Sequence, residues 1–494
     1  MKKYILALDL GTTGNRAILF DRQQRIIKKA YQEFRQIFPK PGWVEHDPNE
    51  IWRTTFGVMK KVLSGVRLEE VAAVGVTNQR ETAVVWDKKT GRPVFNAIVW
   101  QCRRTQKECE ALKRAGWSKR IKQKTGLVID SYFSATKIKW ILDHVSGVRQ
   151  KAKQGRLAFG TIDSWIIWKM TEGKCHVTDY SNASRTMLLN IKSLRWDKML
   201  CRKFGIPFSM LPQLVDSSGV IGTLSCAGLR TEIPIAGIIG DQQGAMFAQG
   251  CFEPGVVKNT YGTGLFLQTN TRHKLIFEKN LLSTVAWKIG RQVDYALEGS
   301  VFIGGAVIQW LRDGLKVIHH AKETARLAQN LASNEGVYFV PALVGLGAPY
   351  WDSSARGTIL GITRGTQVEH LARAALESIA YQTKDVVVEM EKGLGRSLKK
   401  LQVDGGAAAN NFLMQFQADL LGSCVERPRI IETTALGAAG LAGLAVHFWP
   451  SKEAFLKNRS VDRVFKPRVN QTVSQRLYVQ WKRAVIRSLG WHHE

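Results

Sequence analysis

A short apolar run that breaks on a Gly-Thr turn occurs twice in this chain, once near the start of each half. Asp9-Leu10-Gly11-Thr12-Thr13-Gly14 has its counterpart in Asn259-Thr260-Tyr261-Gly262-Thr263-Gly264. One turn at the head of two equal stretches predicts a duplicated unit. Two matched domains facing a cleft would bring both turns to one ligand. The length of 494 residues is sufficient, since roughly two to four domains of that total can each bury a core. The boundary falls at Gln249–Lys258, where a helical pattern ends and Gly, Pro and a strand follow. This gives expected domains of 1–249 and 250–494.

Short β-branched runs alternate with longer amphipathic segments, the pattern of an α/β fold. Expected strands are Ile5–Leu8, Ala17–Phe20, Val71–Thr77, Ala83–Trp86, Ala236–Ile239, Val337–Pro341 and Leu401–Val403. Expected helices are Pro48–Leu63, Ser134–His144, Gln242–Gln249, Ala306–Leu315, Val368–Met390 and Asn411–Leu421. Along Val368–Met390, Leu371, Ala375, Ile379, Val386 and Met390 recur at helical spacing, so one face is expected to be buried.

Several classes of protein are excluded. The apolar start is cut by Asp9, too short for a signal-peptide core. The longest apolar stretch, Ala435–Val446, is rich in Gly and Ala and far short of a membrane span. The expectation is a soluble cytoplasmic protein. Seven scattered cysteines, never spaced C-x-x-C, fit neither a disulfide framework nor a zinc site. The net charge of +30 suits an anionic partner. Its bases are dispersed and carry no nucleic-acid motif, so no specific nucleic-acid binding is expected.

The chemistry-bearing residues each admit two readings. In the first turn, glycines allow close approach and backbone N–H groups can point at anionic oxygens. Thr12 and Thr13 add hydroxyls, and Asp9 at the strand end could hold Mg²⁺ directly or through water. A plain β-hairpin explains the same residues. Asp241, where Ala236–Ile239 gives way to a helix, occupies the crevice position of α/β sheets. It could be a base for a substrate hydroxyl or simply an N-cap. Arg80-Glu81 could be a donor–acceptor set for vicinal hydroxyls or a solvated turn. Trp100 and Phe266 could wall the carbon side of a small polyol, or be plain core. The glycines after Asp404 could admit a nucleotide base and ribose, or be a structural turn.

Taken together these stretches resemble the FGGY carbohydrate-kinase family, in particular its members that act on glycerol. The resemblance spans essentially the whole chain, through "GWVEHDPNEIW", "TNQRET", "NAIVWQCRRT", "DSYFSATKIKWILDH", "TDYSNASRTML", "NTYGTG", "PALVGLGAPYWD" and "VDGGAAANNFLMQFQADLLG". It implies two ribonuclease-H-like domains of the actin/hexokinase ATPase type flanking an interdomain cleft. These would close on Mg·ATP and glycerol to give sn-glycerol 3-phosphate and ADP. By matching positions it implies that Arg80, Glu81, Tyr132, Asp241 and Gln242 bind the glycerol hydroxyls and that Trp100 and Phe266 flank its carbons. Asp241 would be the general base, and Asp9 would hold Mg²⁺. It places Thr12, Thr13, Gly14, Arg16 and Thr263 at the phosphates, and Gly305, Gln309, Gly406 and Asn410 at the nucleotide of the second domain. It also implies a dimer or tetramer.

Three departures from that pattern stand out. Leu10 replaces the usual Gln, and Gly14-Asn15 replaces Ser-Ser, removing one hydroxyl at the phosphates, so weaker ATP binding is expected. Ser225–Arg230 lacks the Lys and most glycines of the loop with which some bacterial relatives bind an inhibitory sugar bisphosphate, so that regulation is not expected. Two alternatives remain: a family member acting on another polyol or sugar, and a catalytically silent relative binding anionic partners through its basic surface.

Overall fold

The structure is a computed structural model in which residues 2–226 and 229–492 are described. Ala227 and Gly228, within the departing 225–230 stretch, lie outside the described residues. Thirteen strands form the two large sheets. The first sheet contains β1 (Tyr4–Leu10), β2 (Gly14–Asp21), β3 (Ile26–Glu33), β4 (Val71–Asn78), β5 (Ser218–Cys226) and β6 (Leu229–Gly240), in the order β5-β6-β4-β1-β2-β3. The second contains β7 (Val256–Tyr261), β8 (Leu265–Arg272), β9 (Leu282–Ile289), β10 (Gln292–Val301), β11 (Lys400–Asp404), β12 (Val425–Pro428) and β13 (Val461–Phe465), in the order β9-β10-β8-β7-β11-β12-β13.

The duplication is explicit in the pairing. In β3-β2-β1-β4-β6, the first three strands are mutually antiparallel, and β4 and β6 then run parallel to β1. The second sheet repeats this as β10-β8-β7-β11-β12. Both Gly-Thr turns therefore sit at the same corner of equivalent hairpins, β1–β2 and β7–β8. Each sheet's last equivalent strand leads to a helix: α1 (Asp241–Ala248) after β6, and α2 (Thr433–Ala445) after β12.

Strand β1 shows why the first sheet is covered on both sides. Its side chains alternate faces. Leu6, Leu8 and Leu10 enter the core that holds Ile51, Val58 and Met59 of the Pro48–Leu63 helix. Ile5 and Ala7 enter the core that holds Ala438, Leu441 and Ala442 of α2. The Gly/Ala-rich stretch Ala435–Val446 thereby finds its purpose. A Cβ at Gly75 would fall 2.3 Å from the Ala438 carbonyl oxygen, and one at Gly237 would fall 2.7 Å from the Ala442 nitrogen. Only small residues let this helix lie so close. The sequence cut at 249/250 is thus not a cut in space, because α2 belongs to the second half by order and covers the first half's sheet. It also meets its counterpart α1, where a Cβ at Gly437 would fall 2.0 Å from the Gly244 oxygen.

Among the helices, Pro48–Leu63, Ser134–His144 and Asn411–Leu421 form with the expected limits. The long one runs on to Leu394 and is buried on more than one face. Its inward polar groups are paired: Asp385 accepts from Tyr350, Tyr478 and Trp481. The segment expected as a helix over Ala306–Leu315 is one α-turn to Gln309 followed by a wider π-turn at Trp310–Gly314. Among the described residues, no helix is long and apolar enough to cross a membrane.

Candidate active site

Each turn closes on a backbone bond between two of its glycines, the first one residue wider than the second: the Gly11 N–H donates to the Gly14 oxygen at 3.1 Å, and the Gly262 N–H to the Gly264 oxygen at 3.0 Å. They face one another across a cleft of about 500 Å³. Thr12, Thr13, Arg16, Arg80, Glu81, Trp100, Tyr132, Asp241 and Gln242 line its first-half wall. Thr260, Gly262, Thr263, Gly264 and Phe266 line the other. Gln36, Phe38 and Gln101, which carried no sequence signal, complete the lining.

Asp241 is the first residue of α1, and the helix's cap position belongs to Gly240, so the N-cap reading does not apply. Its Oδ1 accepts from the Gln242 N–H at 2.7 Å and lies 3.3 Å from Arg80 Nε. Burial pushes the Asp241 carboxyl up, and Arg80 and Lys258 pull it back only in part. A carboxylate held near its proton in this way is suited to general-base work.

Arg80 and Glu81 are not a solvated turn; their side chains are both only 2% exposed. Glu81 takes a left-handed φ of 63°, uncommon for a residue with a side chain. Both side chains belong to a buried ionic cluster. Arg80 donates to Glu298 at 2.6 and 3.1 Å, and Arg185 donates to Glu298 at 2.8 Å and to Glu81 at 2.6 Å. Burial pushes the Glu298 carboxyl up, but Arg185 and Arg80 outweigh it and hold it down to about 2. Arg80 Nη2 also reaches the Tyr132 hydroxyl at 3.4 Å. Sequence reasoning missed Arg185, Glu298 and Lys258, whose Nζ donates to Gln242 Oε1 at 2.5 Å. Arg185 lay inside a quoted stretch, whereas nothing in the strand "YALEGS" marks Glu298.

The aromatic wall spans both halves. Trp100 meets Tyr132 edge-on at 5.6 Å and Phe266 of the second half at 5.8 Å. The Trp100 indole N–H donates to Thr12 Oγ1 at 3.0 Å. Asp9 lies behind the first turn, its Oδ2 accepting from Arg16 at 3.3 Å and from Thr434 Oγ1 of α2 at 3.0 Å. Burial raises its carboxyl above the usual range, with Arg16 opposing.

The second-half nucleotide candidates come from two segments, Gly305 with Gln309 and Gly406 with Asn410. Gly305 adjoins the Gly262 turn, donating its N–H to the Gly262 oxygen at 2.8 Å, and a Cβ there would lie 3.9 Å from Ala407 Cβ. Gly406 faces open space, and the glycine its turn demands is Gly405, at φ 87° against Tyr261. Asn410 caps the Asn411–Leu421 helix through the Leu413 N–H, and Gln309 is exposed. None of these four lines the cleft itself. Among the described residues no cluster of three or more His, Cys, Asp or Glu could hold a metal ion alone, and the cysteines are free.

Residues 4–248 match the N-terminal domain, and residues 257–446 the C-terminal domain, of the FGGY family of carbohydrate kinases. The chain is 59% identical to glycerol kinase 2 of Thermotoga maritima over 99% of each chain. It is also 59% identical to the glycerol kinase of Symbiobacterium thermophilum over 100% of both. The crystal structure of Plasmodium falciparum glycerol kinase with ADP superposes at a TM-score of 0.92, with 35% identity over 98% of both chains. The expected two-domain α/β architecture of this kinase type is borne out by that likeness.

Proposed function

The chain belongs to the FGGY family of carbohydrate kinases, and from that premise we propose that it transfers the terminal phosphoryl group of ATP to glycerol, with Asp241 as general base. The similar glycerol kinases support the reaction. The observation that supports the base is the position of Asp241, on the cleft that both turns line, with Oδ1 tethered by Arg80 and Gln242. Oδ2 is left to take the proton as the alcohol oxygen bonds to the γ-phosphorus and the bond to the β,γ-bridging oxygen breaks, releasing ADP.

Arg80, Glu81, Tyr132 and Gln242 would orient the hydroxyls, and Trp100 with Phe266 would flank the carbons and exclude water. The turns at Gly11–Gly14 and Gly262–Gly264 would hold the triphosphate, with Gly305, Gln309, Gly406 and Asn410 beside the nucleoside. Both polar contacts of Asp9 fall on Oδ2, so its other oxygen is suited to Mg²⁺ through water. When bound, that ion supplies neutralising charge to the phosphates. Two domains divided in sequence at 1–249 and 250–494, with the Thr433–Ala445 helix of the second packed on the sheet of the first, a dimer or tetramer, and a cytoplasmic setting that feeds glycerol breakdown and glycerolipid supply belong to the same proposal.

A coupled assay with purified protein, ATP, Mg²⁺ and a panel of glycerol, other polyols and sugars tests the reading. Glycerol is expected to give the highest kcat/KM. A better sugar substrate, or no turnover at all, would overturn it.

A further inference from the structure

We propose that Tyr31 is a nucleotide-binding residue, whose phenol hydroxyl gives the first turn a phosphate-contacting donor that position 14 cannot carry. This rests on the proposed reading of that turn as a triphosphate cradle. Position 14 is not merely short of a side chain. A Cβ there would fall 2.7 Å from Cε2 and Cζ of Tyr31 and 2.7 Å from the Gln32 carbonyl oxygen. The space above the turn therefore belongs to the tyrosine ring.

Strand register puts it there: Tyr31 on β3 stands directly opposite Arg16 on β2. Its ring lies over the Arg16 guanidinium, 4.8 Å from the centroid. Its hydroxyl stands 3.5 Å from Thr13 Oγ1. Arg16 and Thr13 both line the cleft. Tyr31 is 43% exposed, so ring burial does not account for an aromatic on this edge strand. Tyr31 itself stands just outside the cleft lining, beside Thr13; its phenol O–H brings a donor to that rim, and a bond to a charged acceptor is the stronger kind. The ring would in addition hold the Arg16 side chain against Asp9, keeping its charge at the turn.

The test uses the full-length protein and two variants, Tyr31→Phe and Tyr31→Leu. Tyr31→Phe keeps the ring and removes only the hydroxyl, at an exposed position where folding is not at stake. Affinity for the non-hydrolysable β,γ-imido analogue of ATP is measured by calorimetry without glycerol, alongside KM for ATP and for glycerol. Tyr31→Phe is expected to weaken analogue binding about 5-fold, raise KM for ATP in step, and leave KM for glycerol unchanged. Tyr31→Leu is expected to lose more, since Arg16 also loses its ring. Analogue affinity equal to wild type in Tyr31→Phe would overturn the proposal, as would parallel rises in both KM values. A wild-type protein that binds the analogue but leaves glycerol unphosphorylated would sink the proposed reaction, while the titration still decides Tyr31.

Discussion

Arg80 of the first half and Glu298 of the second stand 2.6 Å apart with both side chains buried. Arg185 completes the cluster from beyond Glu298, bonded also to Glu81. The wall that would hold a polyol is thus held in place by a carboxylate on the other domain's sheet. A buried pair of this kind adds little net stability, but breaking it is costly.

Glu298→Gln should therefore destabilise the protein by about 3–5 kcal/mol, because two guanidinium groups lose their shared counter-charge inside the fold. It should also raise KM for glycerol more than KM for ATP, since Arg80 and Glu81 lose their orientation. Denaturant titration and steady-state kinetics report the two effects separately. An equal rise in both KM values would count against the positioning role.

Asp241→Asn should keep the fold and lower kcat roughly 10²–10⁴-fold, the usual range for a positioned base. It should also raise the melting temperature. Burial holds the Asp241 carboxyl above its ordinary range, so at neutral pH its ionised form costs stability that the amide does not. Activity in the wild type should fall as pH drops through that raised value, because the base must be deprotonated. Near-normal turnover in the folded variant would exclude the base assignment.

Two buried groups should each lose their contribution to stability in acid. Burial holds His46 neutral, with its pKa lowered from 6.5 to about 3. Only the unfolded chain takes that proton as pH falls below 6.5, so stability declines from there downward. Glu298, lowered from 4.5 to about 2 by Arg185 and Arg80, makes a contribution that is present above pH 4.5 and lost as pH falls through that window. Urea midpoints of wild type and Glu298→Gln measured against pH should converge as pH falls below 4.5, because the variant has no such contribution to lose.

Gly437→Ala should destabilise the protein by about 1–3 kcal/mol or more, since its Cβ would press on the Gly244 carbonyl where α1 and α2 meet. A thermal melt indistinguishable from wild type would show that the two helices have room to spare.

Chelation of divalent ions should abolish phosphoryl transfer and leave the melting curve in place, because among the described residues no protein-only metal cluster supports the fold. Added Mg²⁺ should restore the rate.

By itself the sequence determined what is local. The short apolar run of β1 set a strand, the amphipathic segments Pro48–Leu63 and Asn411–Leu421 set helices to the residue, and the repeated Gly-Thr turn announced two equivalent halves. Asp241, Arg80 and Glu81 were legible because acid, base and glycine at strand ends carry chemistry wherever the chain goes. The tertiary structure alone decided which groups meet. Glu298 looks like any strand glutamate until β10 brings it to Arg80 and Arg185, and α2 looks like a short apolar segment until Gly75 and Gly237 admit it to the other half's sheet. Gly14 reads as a missing hydroxyl until Tyr31, opposite Arg16, is seen to fill its place. Such pairings depend on close approach between segments far apart in the chain, and local propensity contains no term for that distance.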